Sequence, residues 1–496
     1  MNTPIKKIVI LGGGTAGWIA AALLKKILAA QVDIELVESD EIGRIGVGEA
    51  TIPPIRLLNE TLGINEADFL RETKASIKLG IQFEHWHKQN HSYMHSFGVP
   101  GKNFAFCPFH HFWLRSQSLG NPHSLWHYDL NYLAAMQGKF APIAANDQGL
   151  QMLYAYHFDA GLYANLLRRL SESLGVKRRE GMVSHVIQDP SSGNVTALVL
   201  QDGIKVSGDF FIDCSGLRAL LIQQTLAAGF DDWQHWLPCD RAIAIPSARF
   251  EKTLPYTRAI AHDVGWQWQI PLQHRNGNGL VYSSHYVSDD EAMARLINNL
   301  ASAAIGEPNL IRFITGRRRQ AWIKNVVAVG LSSGFLEPLE STSIHLIQSA
   351  VVRLLNLFPH QGIEQVVVDE YNRQSRAEFE SVRDFIIFHY VATARDDSQF
   401  WRDRKKTPIP DSLRARMEAF NAAGYLAASS DELFRDISWL QVFLGQGLMP
   451  RDYHPLANSI SAQALSDMLD HLHAIKQQPL AKMPHHDEFL MQVIRA

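Results

Sequence analysis

"KKIVILGGGTAGWIAAALLKK", residues 6–26, decides the fold. Ile8–Leu11 is a short apolar, β-branched run that reads as a buried parallel strand. Three glycines follow, and then an apolar run with helical character closed by Lys25 and Lys26. Gly12, Gly14 and Gly17 form G-x-G-x-x-G, and Gly13, Thr15 and Ala16 complete the loop. Gly12 permits the tight turn, Gly14 lets backbone approach a pyrophosphate, and Gly17 lets helix and strand pack closely. The helix N-terminus then faces the phosphates with unpaired N–H groups. "VDIELVES" (32–39) supplies the next strand, and Glu38 ends it about 20 residues beyond the glycines, where an acid accepts from ribose hydroxyls. The basic, apolar start also resembles a secretory leader, but the glycine triplet and the following lysines break that pattern.

The same pattern continues outward. "NVTALVLQDG", "IKVSGDFFIDCSG" and "KNVVAVGLSSG" read as later strands of one large nucleotide domain. Between them "DRAIAIPSARF", "YTRAIAHDV", "GWQWQIPL" and "GLVYSSHYV" alternate or run apolar between turn residues. They predict an inserted antiparallel sheet over about 235–290. From Ser343 onward the period turns helical, in "SIHLIQSAVVRLLNLF", "IEQVVVDEYNRQSRAEFESVRDFIIFHYVAT" and "SISAQALSDMLDHLHAIK". "RDDSQFWRDRKKTPIPD" reads as a charged connector, and "GRRRQ" (316–320) as a solvated edge.

Composition narrows the function. A net charge of -3 over 496 residues gives no electrostatic case for nucleic acid or an acidic membrane. No run approaches the roughly 20 apolar residues of a membrane span. Cys107, Cys214 and Cys239 are sparse and odd in number, which suggests reduced thiols in a cytoplasmic protein, and no spacing marks a metal site. His85/His87 and His110/His111 lack acidic or cysteine partners at matching spacing and read as surface or core histidines.

Seven stretches carry a resemblance: "GGGTAGW" (12–18), "GVGEATIPP" (46–54), "ASIKLG" (75–80), "HSFG" (95–98), "IDCSG" (212–216), "GWQWQIP" (265–271) and "GFLEPLESTSI" (334–344). In this order, and with W-x-W-x-I-P among them, the chain resembles the flavin-dependent halogenases of the tryptophan-halogenase type over nearly its whole length. The resemblance implies an α/β fold: a Rossmann-type, flavin-monooxygenase-like FAD box with the inserted sheet, residues 1–345, and a largely helical pyramid, residues 346–496. It implies FAD, reduced by a separate flavin reductase and delivered as diffusible FADH2. Oxygen and a halide, chloride or bromide, then give hypohalous acid, which halogenates an electron-rich arene. A homodimer is among the assemblies it admits.

The resemblance also assigns residues. Val47, Ala50, Leu331 and Ile344 join the glycine loop and Glu38 around FAD. Thr342 and Ser343 offer backbone donors to the halide, as the start of a helix does for an anion. Lys78 matches the family's catalytic lysine, and Glu340 its second functional residue; the alternative for Glu340 and Ser341 is plain helix capping. "ADFLRETKASIKLG" is expected to be a helix ending near Gly80, with Lys74 and Lys78 on one face. Lys78 as ammonium would polarise hypohalous acid, and as amine would form a haloamine. His95 and Phe97 match residues that sandwich the arene, and Trp266 and Trp268 would wall it from the flavin and exclude water.

Two departures bear on substrate. Ser343 stands where tryptophan-specific members have glycine, and "SSDELFRDISWLQVFLGQGLMP" (429–450) keeps Trp439 but no tyrosine cluster. A simpler indole, a phenol or a larger arene therefore fits as well as free tryptophan. Two other functions remain at this point: a flavin monooxygenase that hydroxylates an arene, and a flavin-binding protein without the chemistry.

Overall fold

The computed structural model describes residues 4–41, 48–104, 106–145, 150–427 and 432–495. Contacts divide the chain into two compact units, each drawn from three segments. The first comprises Met1–Lys74, Phe158–Asp240 and Ile311–Glu380; the second comprises Ala75–His157, Arg241–Leu310 and Ser381–Ala496. The sequence predicts one structural unit with a single internal boundary, at 345/346.

The first unit is built on a sheet of strand order 322–323, 326–328, 210–213, 7–11, 33–38 and 177–180. Neighbours are parallel except for the edge pair 322–323 and 326–328. Ile8, Val9 and Ile10 are wholly buried, as a central parallel strand requires. The helix Thr15–Leu28 follows directly, and a second helix, Ser343–Asn356, packs against it. The strands 183–188, 195–200 and 205–207 form a separate antiparallel sheet.

The second unit carries the expected antiparallel sheet: strands 241–248, 275–282, 265–271 and 257–261 lie side by side in that order. The sheet is wider than the inserted segment, because strand 80–84 adds parallel to 257–261 and strand 92–96 adds to that, forming an edge. This pairing brings Gly80, the last residue of "ASIKLG", and His95 and Ser96 of "HSFG" onto the sheet of the two tryptophans, from about 170–190 positions away in sequence.

Three expectations are corrected. "ADFLRETKASIKLG" is not one helix: Asn65 caps a helix Glu66–Glu72, Lys74 turns left-handed at φ 54°, and Ser76–Lys78 is a strand. Its antiparallel pairing with the 155–159 strand overrides the local helical period. The charged connector contains a helix, Gln399–Lys406, capped by Ser398. Its Trp401 is wholly buried, with the Arg395 guanidinium 4.8 Å over the ring. "GRRRQ" is no solvated edge throughout: Arg317 is buried, ion-paired to Asp231 at 2.8 Å and Glu380 at 3.3 Å, and Arg318 lies 5.0 Å over Phe230, while Arg319 is exposed.

Candidate active site

In the first unit the glycine loop has the shape of a phosphate cradle. A Cβ on Gly12 would sit 2.2 Å from the Cys214 carbonyl oxygen, and one on Gly17 would sit 1.8 Å from that of Gly12. Side chains are thus excluded where strand, loop and helix close on each other. Gly14 is exposed with nothing within 4 Å of its Cβ position, so that side of the loop is open. The helix Thr15–Leu28 begins there without a side-chain cap, leaving its first N–H groups for a ligand. Thr15 and Ala16 are half-buried in its first turn.

Glu38 ends its strand and folds back over the loop, its Oε2 occupying the space a Cβ on Gly13 would need, 1.4 Å away. Its Oε1 accepts from Arg178 Nε at 2.6 Å, a partner that sequence reading missed. Asp213, of "IDCSG", accepts from the N–H groups of Ser215, Leu221 and Ile222, and Ser332 Oγ donates to the Asp213 carbonyl. This anchors the 3₁₀ turn Gly330–Ser332 that carries Leu331. Ala50 closes the strand Gly48–Ala50, where burial pushes the neighbouring Glu49 carboxyl up to about 7. Val47 lies outside the described residues.

"EPLESTSI" makes a 3₁₀ turn, Pro338–Glu340, followed by Ser341 at φ 59° and then the helix Ser343–Asn356. A serine held left-handed is strained, and such strain gathers at functional sites. The N-cap residue, Thr342, makes no side-chain capping bond, and its buried Oγ1 has no hydrogen-bond partner. Glu340, Thr342 and Ile344 are all buried, and Ser343 is half-buried. Burial at an uncapped helix start is a setting for an anion. The loop, the acid beside it and this helix start together have the donors and the open side that a dinucleotide flavin needs.

In the second unit Lys78 is wholly buried at the end of its short strand, with Nζ 5.3 Å from the centroid of the Phe97 ring. The backbone enforces that approach, since Phe97 N–H donates to the Leu79 carbonyl at 3.0 Å. Asn131 Nδ2 reaches the same carbonyl at 3.4 Å. His95 is buried, its ring centroid 5.5 Å from that of Phe385 and 6.0 Å from that of Phe434. Phe385 and Phe434 stack at 3.9 Å, and Trp439 meets Phe385 edge-on at 4.7 Å. Arg416 lies 4.6 Å over Trp439 and binds Glu432 through two contacts of 2.8 Å. The structure therefore joins His95 and Trp439 to one aromatic cluster through Phe385.

Trp266 and Trp268 share a face of their strand, as alternation requires, with ring centroids 6.1 Å apart and 1% and 7% exposure. Opposite them, Trp268 pairs with Gly279, whose Cβ would lie 2.0 Å from the indole. Only glycine leaves room for that ring. His110 and His111 are core histidines: His110 Nε2 bonds the Gly424 carbonyl at 2.8 Å, and His111 Nδ1 accepts from His454 N–H at 3.1 Å.

The sequence profile of the tryptophan halogenases matches residues 7–462. The chain belongs to that family. The tryptophan 6-halogenase ThaL of Streptomyces albogriseolus is 35% identical over 92% of each chain. Among solved structures, Xcc4156, a flavin-dependent halogenase from Xanthomonas campestris, is 48% identical, superposing with a TM-score of 0.96 over 99% of this chain and 98% of that one. BrvH, a flavin-dependent halogenase from Brevundimonas sp. BAL3, is 42% identical with a TM-score of 0.95 over 99% of each. This halogenase is thus a flavin-dependent enzyme with the family's α/β fold. No described helix is long and apolar enough to cross a membrane.

Proposed function

We propose that this halogenase is the oxygenating half of a two-component system, taking reduced FAD from a separate reductase and halogenating an electron-rich arene of the indole kind. Wholly buried Lys78, held 5.3 Å from the Phe97 ring, is the observation that carries the reading. Reduced FAD with oxygen supplies the oxidising equivalent that converts chloride or bromide to hypohalous acid. The Gly12–Gly17 loop and Glu38 are the groups proposed to hold its pyrophosphate and ribose. The N–H groups of Thr342 and Ser343 are proposed to hold the halide. The Trp266–Trp268 face excludes water that would otherwise consume the oxidant.

Lys78 receives hypohalous acid and, as an ammonium, hydrogen-bonds its oxygen and polarises its halogen towards the arene. The ring lies against His95 and Phe97, which sets which carbon is presented. Glu340 is the proposed second catalytic group, the carboxylate that accepts the proton leaving the ring. Free tryptophan fits this reading less well than indole. The charged pair beside Trp439, Arg416 and Glu432, is already satisfied by two mutual contacts. A zwitterion would have to break that pair to bury its own charges there.

The test supplies reductase, FAD and bromide or chloride with a panel of indoles and phenols, and reads isotope-paired products by mass spectrometry. Halogenated arene is expected from the parent. From Lys78→Ala none is expected, with flavin reoxidation nearly intact. Hydroxylated product without halide would point to a monooxygenase, absence of any product to a binding protein, and normal halogenation by Lys78→Ala would remove the lysine from the mechanism.

A further inference from the structure

The strand that carries Lys78 is three residues long, too short to hold a side chain in place unaided. Two buried imidazoles pin it. Ile77 N–H donates to His486 Nε2 at 3.1 Å, and His486 Nδ1 bonds the Thr253 carbonyl at 2.9 Å. Burial pushes the His486 imidazolium down to about 4, so the ring stays neutral with its proton on Nδ1.

The second pin has a single consistent proton arrangement. Ser76 Oγ donates to the Pro271 carbonyl at 2.5 Å, so towards His157 Nδ1, at 3.0 Å, it is the acceptor. His157 Nδ1 therefore carries the proton. Its bare Nε2 accepts from Thr257 Oγ1 at 2.9 Å. The ring is wholly buried, and burial, then the Lys78 charge, holds it well below the usual imidazole range. The neutral form is thus the one this chain of bonds needs. Pro271 ends the strand of Trp266 and Trp268, and Thr257 begins the neighbouring one.

We propose that His157, acting through Ser76, is the positioning residue that sets Lys78 against the tryptophan strand, so that oxidant reaching the lysine is transferred to arene rather than lost to water. The inference rests on the role given to Lys78 above. Displacing a reacting group by about 1 Å costs on the order of a hundredfold in rate; the Thr257–His157–Ser76–Pro271 chain is the side-chain link between the two strands, beside the Leu79 N–H bond to the Pro255 carbonyl at 2.8 Å.

The experiment measures a ratio: halogenated indole formed, over hypohalous acid released and caught by an excess of a diffusible electron-rich scavenger, in the full two-component reaction. His157→Gln places its amide one carbon farther out, within reach of Thr257 but not of Ser76. It is expected to lower the ratio about tenfold or more with flavin reoxidation within about twofold. His157→Asn, whose amide nitrogen stands where Nδ1 does, is expected to stay within about threefold of the parent. Ser76→Ala, which introduces no bulk, is expected to behave as His157→Gln does, and keeps the test decisive if the latter fails to fold. A merely structural role would lower both yields together and leave the ratio alone, and that result overturns the proposal. Lys78→Ala separates the two readings. An unchanged ratio there defeats the lysine's role itself; a collapsed ratio there, beside normal ones in His157→Gln and Ser76→Ala, defeats only the positioning.

Discussion

Gln441 holds the two halves of the arene cluster in register, and its removal should show in both stability and substrate binding. Strand 92–96, which carries His95, is an edge strand whose outer backbone groups face the helix Asp436–Gly445 that carries Trp439. At Ser96 both groups are taken by one side chain: Ser96 N–H donates to Gln441 Oε1 at 2.9 Å, and Gln441 Nε2 donates to the Ser96 carbonyl at 3.0 Å. Gln441 is wholly buried, so no water replaces it. In Gln441→Leu two buried backbone groups lose their partners, at about 1–3 kcal/mol each. Burying leucine's apolar surface returns about 1.5 kcal/mol, for a net loss of about 1–4 kcal/mol. At about 2–4 °C per kcal/mol for a unit of this size, the melting point should fall by roughly 2–16 °C. Gln441→Glu keeps the acceptor, loses the donor and buries a charge, so it should be no better tolerated. Because His95 and Trp439 then drift relative to each other, KM for indole should rise while flavin reoxidation stays put. The assays are thermal unfolding and steady-state kinetics on indole. A Gln441→Leu variant that melts within about 0.5 kcal/mol of the parent, with unchanged KM, would refute the reasoning.

Acid should destabilise the fold. Burial holds His486 down to about 4, and burial with the His110 and His454 charges holds His111 down to about 3. The unfolded chain takes up these protons near 6.5, so their stability is fully present above that pH and lost as pH falls towards 4. By pH 5 the loss is about 2 kcal/mol for each of the two, and Glu49, raised to about 7, works in the opposite direction. Melting points that do not fall between pH 7 and pH 5 would contradict this. Gly279→Ala puts a methyl where the Trp268 indole lies and should cost about 1–3 kcal/mol with a lower yield of halogenated arene; equal melting curves and yields would show that the ring moves aside freely. In parallel kcat/KM measurements indole should equal or exceed tryptophan. A tenfold preference for tryptophan, about 1.4 kcal/mol, would mean that the pocket grips the amino-acid end.

Residues 6–38 could be read from the sequence because the contacts that define them are local. Strand, glycine loop, helix and acid fall within one short stretch, and each residue type answers a steric demand made by its neighbours. The strands 241–248 to 275–282 were legible for the same reason, since alternation and turns are short-range signals. The candidate lysine was also legible, as part of a motif, but its setting was not. Its helical spacing gave way to a strand because the partner at 155–159 was out of local view, and Ile77 is held by a histidine 409 positions along the chain. Gln441 reaches Ser96 across 345 positions, and Gly279 is required only because Trp268 folds over it. A buried polar side chain is satisfied by whichever backbone group the packed chain brings to it. Which group that is depends on the pairing of distant segments, so tertiary structure alone decided how Lys78, His95 and the tryptophans are held.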